Sequence, residues 1–436
     1  MNRSLFLLVV LFHCVLSQNI LSGCVTSYDE NKDYFPDKVQ PTVAKLFTIE
    51  YYKSYKILKN LFTSQVFVLY QCGTPRPSIT GVTPPPKYFS LPVSRVGTLD
   101  TVSNSVIEML GYRSAIKLID VDQDVTSPCI QARVNSNLIE QLNQYNKTIY
   151  SQQLLTVDAV FGGYVADPRN TTIATSLEQD PGLPNRAEWV KFYSVFFNAE
   201  ASANTLYNGI VTNQNCFISQ AKASNAQSTK PTIAWTYYTP AYPTYGILAS
   251  FTFSNASYVR QLVENAGANL FIPPSNNLVY TTNTDFKSLL LNVDIVVDTT
   301  YGVSTLANFL SFYNITNPPL YKWYRDSKIF RVDGLQTSQG GWDWFESGEV
   351  QVDAVQADVI NVVNSALPST GYKRVWLRNI AAGETVVISK ASDCADVNSQ
   401  TLASRAPRCV TSSSNTLRPS TMMVWFIAIL LISIWF

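Results

Sequence analysis

Histidine is all but missing. The 436 residues hold one, His13, and it falls in a leading apolar run. The rest of the chain therefore has no imidazole for a Ser-His or Cys-His pair and none for a zinc site, which excludes most hydrolase and metalloprotease chemistry. Charge is scarce too: Asp, Glu, Lys and Arg make up 14% of the chain, the formal net charge is +1, and no basic block stands out. That removes nucleic acid as a partner. There is no C-x-x-C spacing, so the thiols do not read as a metal set. Without a nucleophile elbow, a phosphate loop or an internal repeat, an enzyme has the least support. The expectation is a binding protein with no catalytic residues, no metal and no intrinsic cofactor.

What is present points outside the cell. Apolar residues reach 46%, enough for a large core. "MNRSLFLLVVLFHCVLS" (1–17) has the make-up of a secretory signal peptide cleaved after Ser17, with "LSGC" at Leu21–Cys24 as a rival bacterial lipoprotein box. At the other end, "MMVWFIAILLISIWF" would span about 22 Å as a helix, short of a ~30 Å hydrocarbon layer. Ser412, Ser413 and Ser414 and the spacer "NTLRPST" precede it. Together these read as a GPI signal, with attachment at Ser413, a propeptide over 415–436 and a Ser/Thr-rich stalk over 391–414. The expected location is the outer face of a plasma membrane, with simple secretion or a bacterial lipoprotein as alternatives.

Cys14 would leave with the signal. Cys24, Cys72, Cys129, Cys216, Cys394 and Cys409 remain, an even number that reads as up to three disulfides with fifteen possible pairings. The favoured pair is Cys394 with Cys409, because it closes a short loop. Sequons stand at Asn146, Asn170, Asn255 and Asn314.

The pattern between the ends is α/β. Alternating apolar runs over 46–74 predict a two-stranded N-terminal hairpin. A strand at Val93–Leu99, a helix from Ser103 or Asn104 ending at Gly111, and the strand "AIKLID" make a β-α-β unit. Trp189, Phe192, Phe196, Ala199, Ala203, Leu206 and Ile210 recur at helical spacing and predict one helix of about ten turns, long enough to join two lobes. A second βα series starts at "TIAWTYY". The expected domains are an N-terminal lobe over 24–185, an inter-lobe helix over 186–225 and a C-terminal lobe over 226–390.

In such sheets, ligands sit beyond the carboxyl ends of the strands. "WTYYTPAYPTYG" follows such an end, so Trp235, Tyr237, Tyr238, Tyr242 and Tyr245 are candidate ligand contacts. Tyr164 and Tyr301 follow short apolar strands, and Thr101 has the same position with weaker chemistry. Trp342 and Trp344 in "GGWDWF" could flank the cleft, and Arg325 could neutralise an anionic ligand. Glu188 reads as a helix-start residue, and Asp294 and Asp298 as strand-end residues.

In their order along the chain, "PVSRVGTLDTVSNSVIEMLG", "NRAEWVKFYSVFFNAEASAN", "LVENAGANLF" and "GGWDWFESGEVQVDAVQADVINVV" resemble the class III, helix-linked periplasmic substrate-binding proteins. Those proteins deliver iron-siderophores, haem or cobalamin to ABC importers. The resemblance runs over roughly 28–368. It implies two Rossmann-like lobes with small closing motions, and a monomer that captures a bulky metal chelate, foremost a ferric-siderophore. Members that hold haem through histidine offer no guide, because that residue is absent here. The alternative is a surface adhesion or structural glycoprotein that reuses the fold without a small ligand.

Overall fold

The computed structural model describes residues 18–120, 122–163, 169–225 and 229–410. The expected signal peptide, Tyr164, Ser413 and the propeptide lie outside these residues.

Four strands come first: β1 (Phe47–Tyr51), β2 (Tyr55–Asn60), β3 (Gln65–Gln71) and β4 (Lys87–Leu91). The first three form an antiparallel meander, and β4 runs parallel to β3. The predicted hairpin is thus part of a larger sheet. The run from Phe47 to Asn60 alternates as one strand would, but it reverses at Lys53–Ser54. Phe47, Phe67 and Phe89 face the rings of Trp189, Phe192 and Phe196, with centroids 5.1 Å apart for Phe47–Trp189 and 5.4 Å for Phe89–Phe196. Burying rings of this size stabilises by about 1.5–3 kcal/mol each, which clamps the sheet to the segment that follows the N-terminal lobe.

The N-terminal lobe is a wholly parallel sheet of β5 (Val96–Thr98), β6 (Ile116–Ile119), β7 (Glu140–Gln141), β8 (Ala159–Phe161) and β9 (Thr172–Ile173), in the order β7-β6-β5-β8-β9. The β-α-β reading holds. Its helix begins earlier than expected, spanning Thr101–Met109, because Asp100 rather than Ser103 or Asn104 is the cap and accepts the Ser103 amide at 2.8 Å. Gly111, at φ +91°, ends it in the left-handed turn that favours glycine.

The C-terminal lobe carries β10 (Thr232–Thr239), β11 (Ser250–Phe253), β12 (Asn269–Leu270), β13 (Val279–Tyr280), β14 (Ile295–Asp298) and β15 (Ile329–Arg331). Beyond them, β16 (Leu335–Gln336) pairs with β18 (Val387–Ile388), while β17 (Arg378–Asn379) closes the main sheet beside β15. The centre β10-β14-β15 is parallel, and β11 and β17 are antiparallel neighbours. The β14 sequence "IVVD" is buried along its whole length, as a central parallel strand should be.

Three helices join the lobes: Leu183–Glu188, Val190–Phe197 and Glu200–Asn225. The expected single helix is broken at Asn198, whose backbone is left-handed at φ +57°. Its side chain is fixed there, donating to the Ile20 carbonyl and Gln71 Oε1 and accepting from Lys56 Nζ. Lys56 and Glu200 form an ion pair with no exposure at either side chain.

Residues 391–410 do not stand off as a stalk. The disulfides are Cys24–Cys72, Cys129–Cys394 and Cys216–Cys409. The favoured pairing of Cys394 with Cys409 is therefore overturned: each bonds a distant residue, since the tail runs back over the N-terminal lobe and the linker. Arg113 Nη2 donates to the Thr401 carbonyl, and the Leu402 amide donates to the Glu108 carbonyl.

Candidate functional site: a cleft between the lobes

β5, β6 and β14 all point their carboxyl ends into the same space. It is a cavity of about 540 Å³ between the lobes. The N-terminal wall is Leu99, Asp100, Thr101, Asn104, Asp120 and Asp124, and the opposite wall is Thr299, Tyr301, Gly340, Gly341, Trp342 and Phe345.

Three rings make the C-terminal wall. Trp342 lies between Tyr301, 6.2 Å away at 32°, and Phe345, 5.8 Å away at 13°. Tyr301 is 79% exposed and Phe345 49%, so both outer rings of this ladder offer bare apolar area to the space before them. The ladder rests on charge. Arg331, fully buried, places its guanidinium 5.2 Å from the Trp342 ring centroid and pairs with Asp298 and with Asp333 at 2.8 Å. Its Nη2 donates to the Thr300 carbonyl at 2.8 Å, fixing the backbone that presents Tyr301. Asp298 is thus more than a strand-end residue. It also accepts from Tyr313 and Thr300, each at 2.7 Å.

The N-terminal wall is acidic. Asp100 caps its helix and also accepts the Gly163 amide at 2.9 Å, while Asp120 accepts from Gln144. The lobes meet at one side of the cleft. Gly341 approaches Asp124 so closely that a Cβ would fall 2.5 Å from the Asp124 Cα. Beside it, the Thr337 hydroxyl donates to the Gln123 carbonyl at 2.7 Å, and Thr126 bonds both Asp343 and Glu346.

Of the sequence candidates, Tyr301, Trp342 and Thr101 line the cavity. Trp235 and Trp344 do not: both are buried, their centroids 5.9 Å apart, in the core beneath it. Tyr238 packs on Phe251 and Phe312 in the hydrophobic cluster on the other side of the C-terminal sheet. Tyr237, Tyr242 and Tyr245 are exposed on and beyond β10, in its connection to β11, outside the cavity. Arg325 spends its Nη1 on the Pro319 and Leu320 carbonyls at the surface. Glu188 also departs from its reading, since its carboxylate binds the Val43 and Ala44 amides and Lys191. The residues missed were Leu99, Asp100, Asn104, Asp120, Asp124, Thr299 and Phe345. The signal that finds Asp100 and Asp120 is the strand-end rule applied to "VGTLD" and "IKLID" in the N-terminal lobe.

No protein-family model matches the chain, and no curated protein matches it. Solved structures do. A periplasmic binding protein from Veillonella parvula DSM 2008 is 12% identical, covering 65% of this chain and 89% of its own, with a TM-score of 0.47. A periplasmic heme binding protein from Pseudomonas aeruginosa is 13% identical, covering 65% and 97%, with a TM-score of 0.41. A structure described as an ABC-type Fe3+-hydroxamate transport system from Saccharomonospora viridis DSM 43017 is 15% identical, covering 63% and 95%, with a TM-score of 0.45. The cleft, the ring ladder and the acidic wall stand on this chain's own geometry.

Two carboxylates near the cleft titrate high. Glu178 is pushed up to about 7, first by burial and then by Asp100 and Glu349. Glu346 is pushed up to about 8, first by burial and then by Asp343 beside it. Both folded values lie above the unfolded one, so their stabilisation is complete at acid pH and is lost as pH rises through about 7 and then about 8. Tm should fall by several degrees between about pH 6 and about pH 9, and Glu346→Gln should flatten the upper part of that slope. A Tm that rises over this range in thermal unfolding would contradict the assignment.

Proposed function

We propose that this chain is an extracellular binding protein, not an enzyme, that holds a bulky small molecule in the cleft between its lobes. A metal chelate, foremost a ferric-siderophore, is the ligand class we favour. The observation that carries the reading is the open cavity of about 540 Å³ with exposed rings on one wall. A fold used only for adhesion has no need to keep such a space free of side chains, and cavities of this size suit drug-sized ligands. Export is part of the same reading. All six remaining cysteines are paired, and Asn146, Asn170, Asn255 and Asn314 are all exposed, where glycans could be attached. Among the described residues no helix is long and apolar enough to cross a membrane. Attachment through a GPI group at Ser413 would give the chain its membrane partner, and release from cells by phosphatidylinositol-specific phospholipase tests it.

The ligand test is a titration of the purified, oxidised protein with ferric hydroxamates, haem and cobalamin, followed by tryptophan fluorescence. Quenching should saturate at micromolar concentrations or below for one panel. Trp342→Ala and Tyr301→Ala should each weaken that binding by about tenfold or more while leaving the unfolding transition in place. Silence across all three panels would overturn the chelate reading.

A further inference from the structure

We infer that the cleft selects ligands of positive charge. The inference rests on the binding reading above and narrows its ligand class. Among the described residues that line the cavity, Asp100, Asp120 and Asp124 carry charge and no lysine or arginine does. The guanidinium of Arg331 is buried behind Trp342 and already paired with Asp298 and Asp333, so it offers an incoming anion no free donor set. Behind the N-terminal wall, Arg186 pairs with Glu349 and so is already answered. An anionic chelate entering this space would meet like charge and no lysine or arginine among the described lining residues. A cation would meet opposite charge on one wall and the faces of Tyr301 and Phe345 on the other, and ring faces attract cations.

Two further observations fix the kind of cation. Among the described residues no group of three or more acidic, thiol or imidazole side chains converges to hold a metal ion. The cavity of about 540 Å³ suits a larger body, with its charge carried on an organic frame. Asn104, only 2% exposed, lines the same wall and has its Oδ1 taken by the Thr98 hydroxyl at 2.6 Å. The amide nitrogen it keeps is a donor and matches a carbonyl or hydroxamate oxygen of the guest. A compact chelate that shows oxygens on one side and a pendant ammonium on the other fits both walls.

A matched series tests this. A linear ferric trihydroxamate with a free terminal amine is compared with its N-acetyl form, which lacks the charge, and its N-succinyl form, which reverses it. The amine form should bind about tenfold tighter than the acetyl form, the succinyl form should bind weakest, and the spread should shrink at high salt. Asp120→Asn combined with Asp124→Asn should compress the amine-over-acetyl ratio to below about threefold. Equal affinities, or tightest binding of the succinyl form, would overturn the charge inference and leave the chelate reading standing. Failure of all three forms, together with haem and cobalamin, would take down the chelate reading itself.

Discussion

Replacing Arg331 with methionine should lower the free energy of unfolding by roughly 3–5 kcal/mol, the range for stripping one partner from a buried ion pair. Arg331 and Asp298 are wholly buried, and Asp333 nearly so. Methionine fills much of the volume but leaves two carboxylates facing a medium that cannot solvate them. Arg378 still reaches Asp333, with Nε 3.0 Å from Oδ1, so Asp298 suffers most. The same change removes the donor to the Thr300 carbonyl and the cation behind Trp342, so ligand affinity should fall along with stability. Chemical denaturation measures the first effect and fluorescence titration the second. Adding Asp298→Asn to Arg331→Met should recover part of the lost stability, because the stranded charge goes. A loss under about 1 kcal/mol would mean the network behaves like a surface pair.

The second large effect is expected from the tail. Cys129→Ser with Cys394→Ser opens a link between residues 265 apart in sequence. Closing a loop of that size restricts the unfolded chain strongly, and losing the link should cost up to about 5 kcal/mol in the chain-entropy account. A control with Cys24→Ser and Cys72→Ser, a separation of 48, should cost less. Thermal unfolding ranks the two. Non-reducing peptide mapping must also find Cys129 joined to Cys394 and Cys216 joined to Cys409. Recovery of a Cys394–Cys409 peptide would refute the threading of the tail.

Much of the architecture was legible because it rests on short-range pattern. Apolar runs bounded by turn residues marked β5, β6, β10 and β14, and the helical spacing from Trp189 to Ile210 marked the linker. What failed was set by distant contacts. The break at Asn198 depends on Lys56, Gln71 and Ile20, none of them close in sequence. Disulfide pairing depended on where the tail lies, so loop length was a poor guide. At the site, the strand-end rule was sound but was applied mainly to conspicuous aromatic residues. It found Tyr301 and overlooked Asp100 and Asp120, which occupy equivalent positions across the gap. The density of rings in "WTYYTPAYPTYG" misled because β10 and its turn divide them between core and surface, with none left for the cavity.

The return of residues 391–410 to the N-terminal lobe has a mechanical consequence. The chain crosses between the two halves once through the linker and again after β18, where the Cys129–Cys394 bond makes the second crossing covalent. Two bodies joined at two separated places keep one easy degree of freedom, rotation about the line through both joints. Opening and closing should therefore follow a single arc, and cutting the second joint should release sideways and twisting excursions.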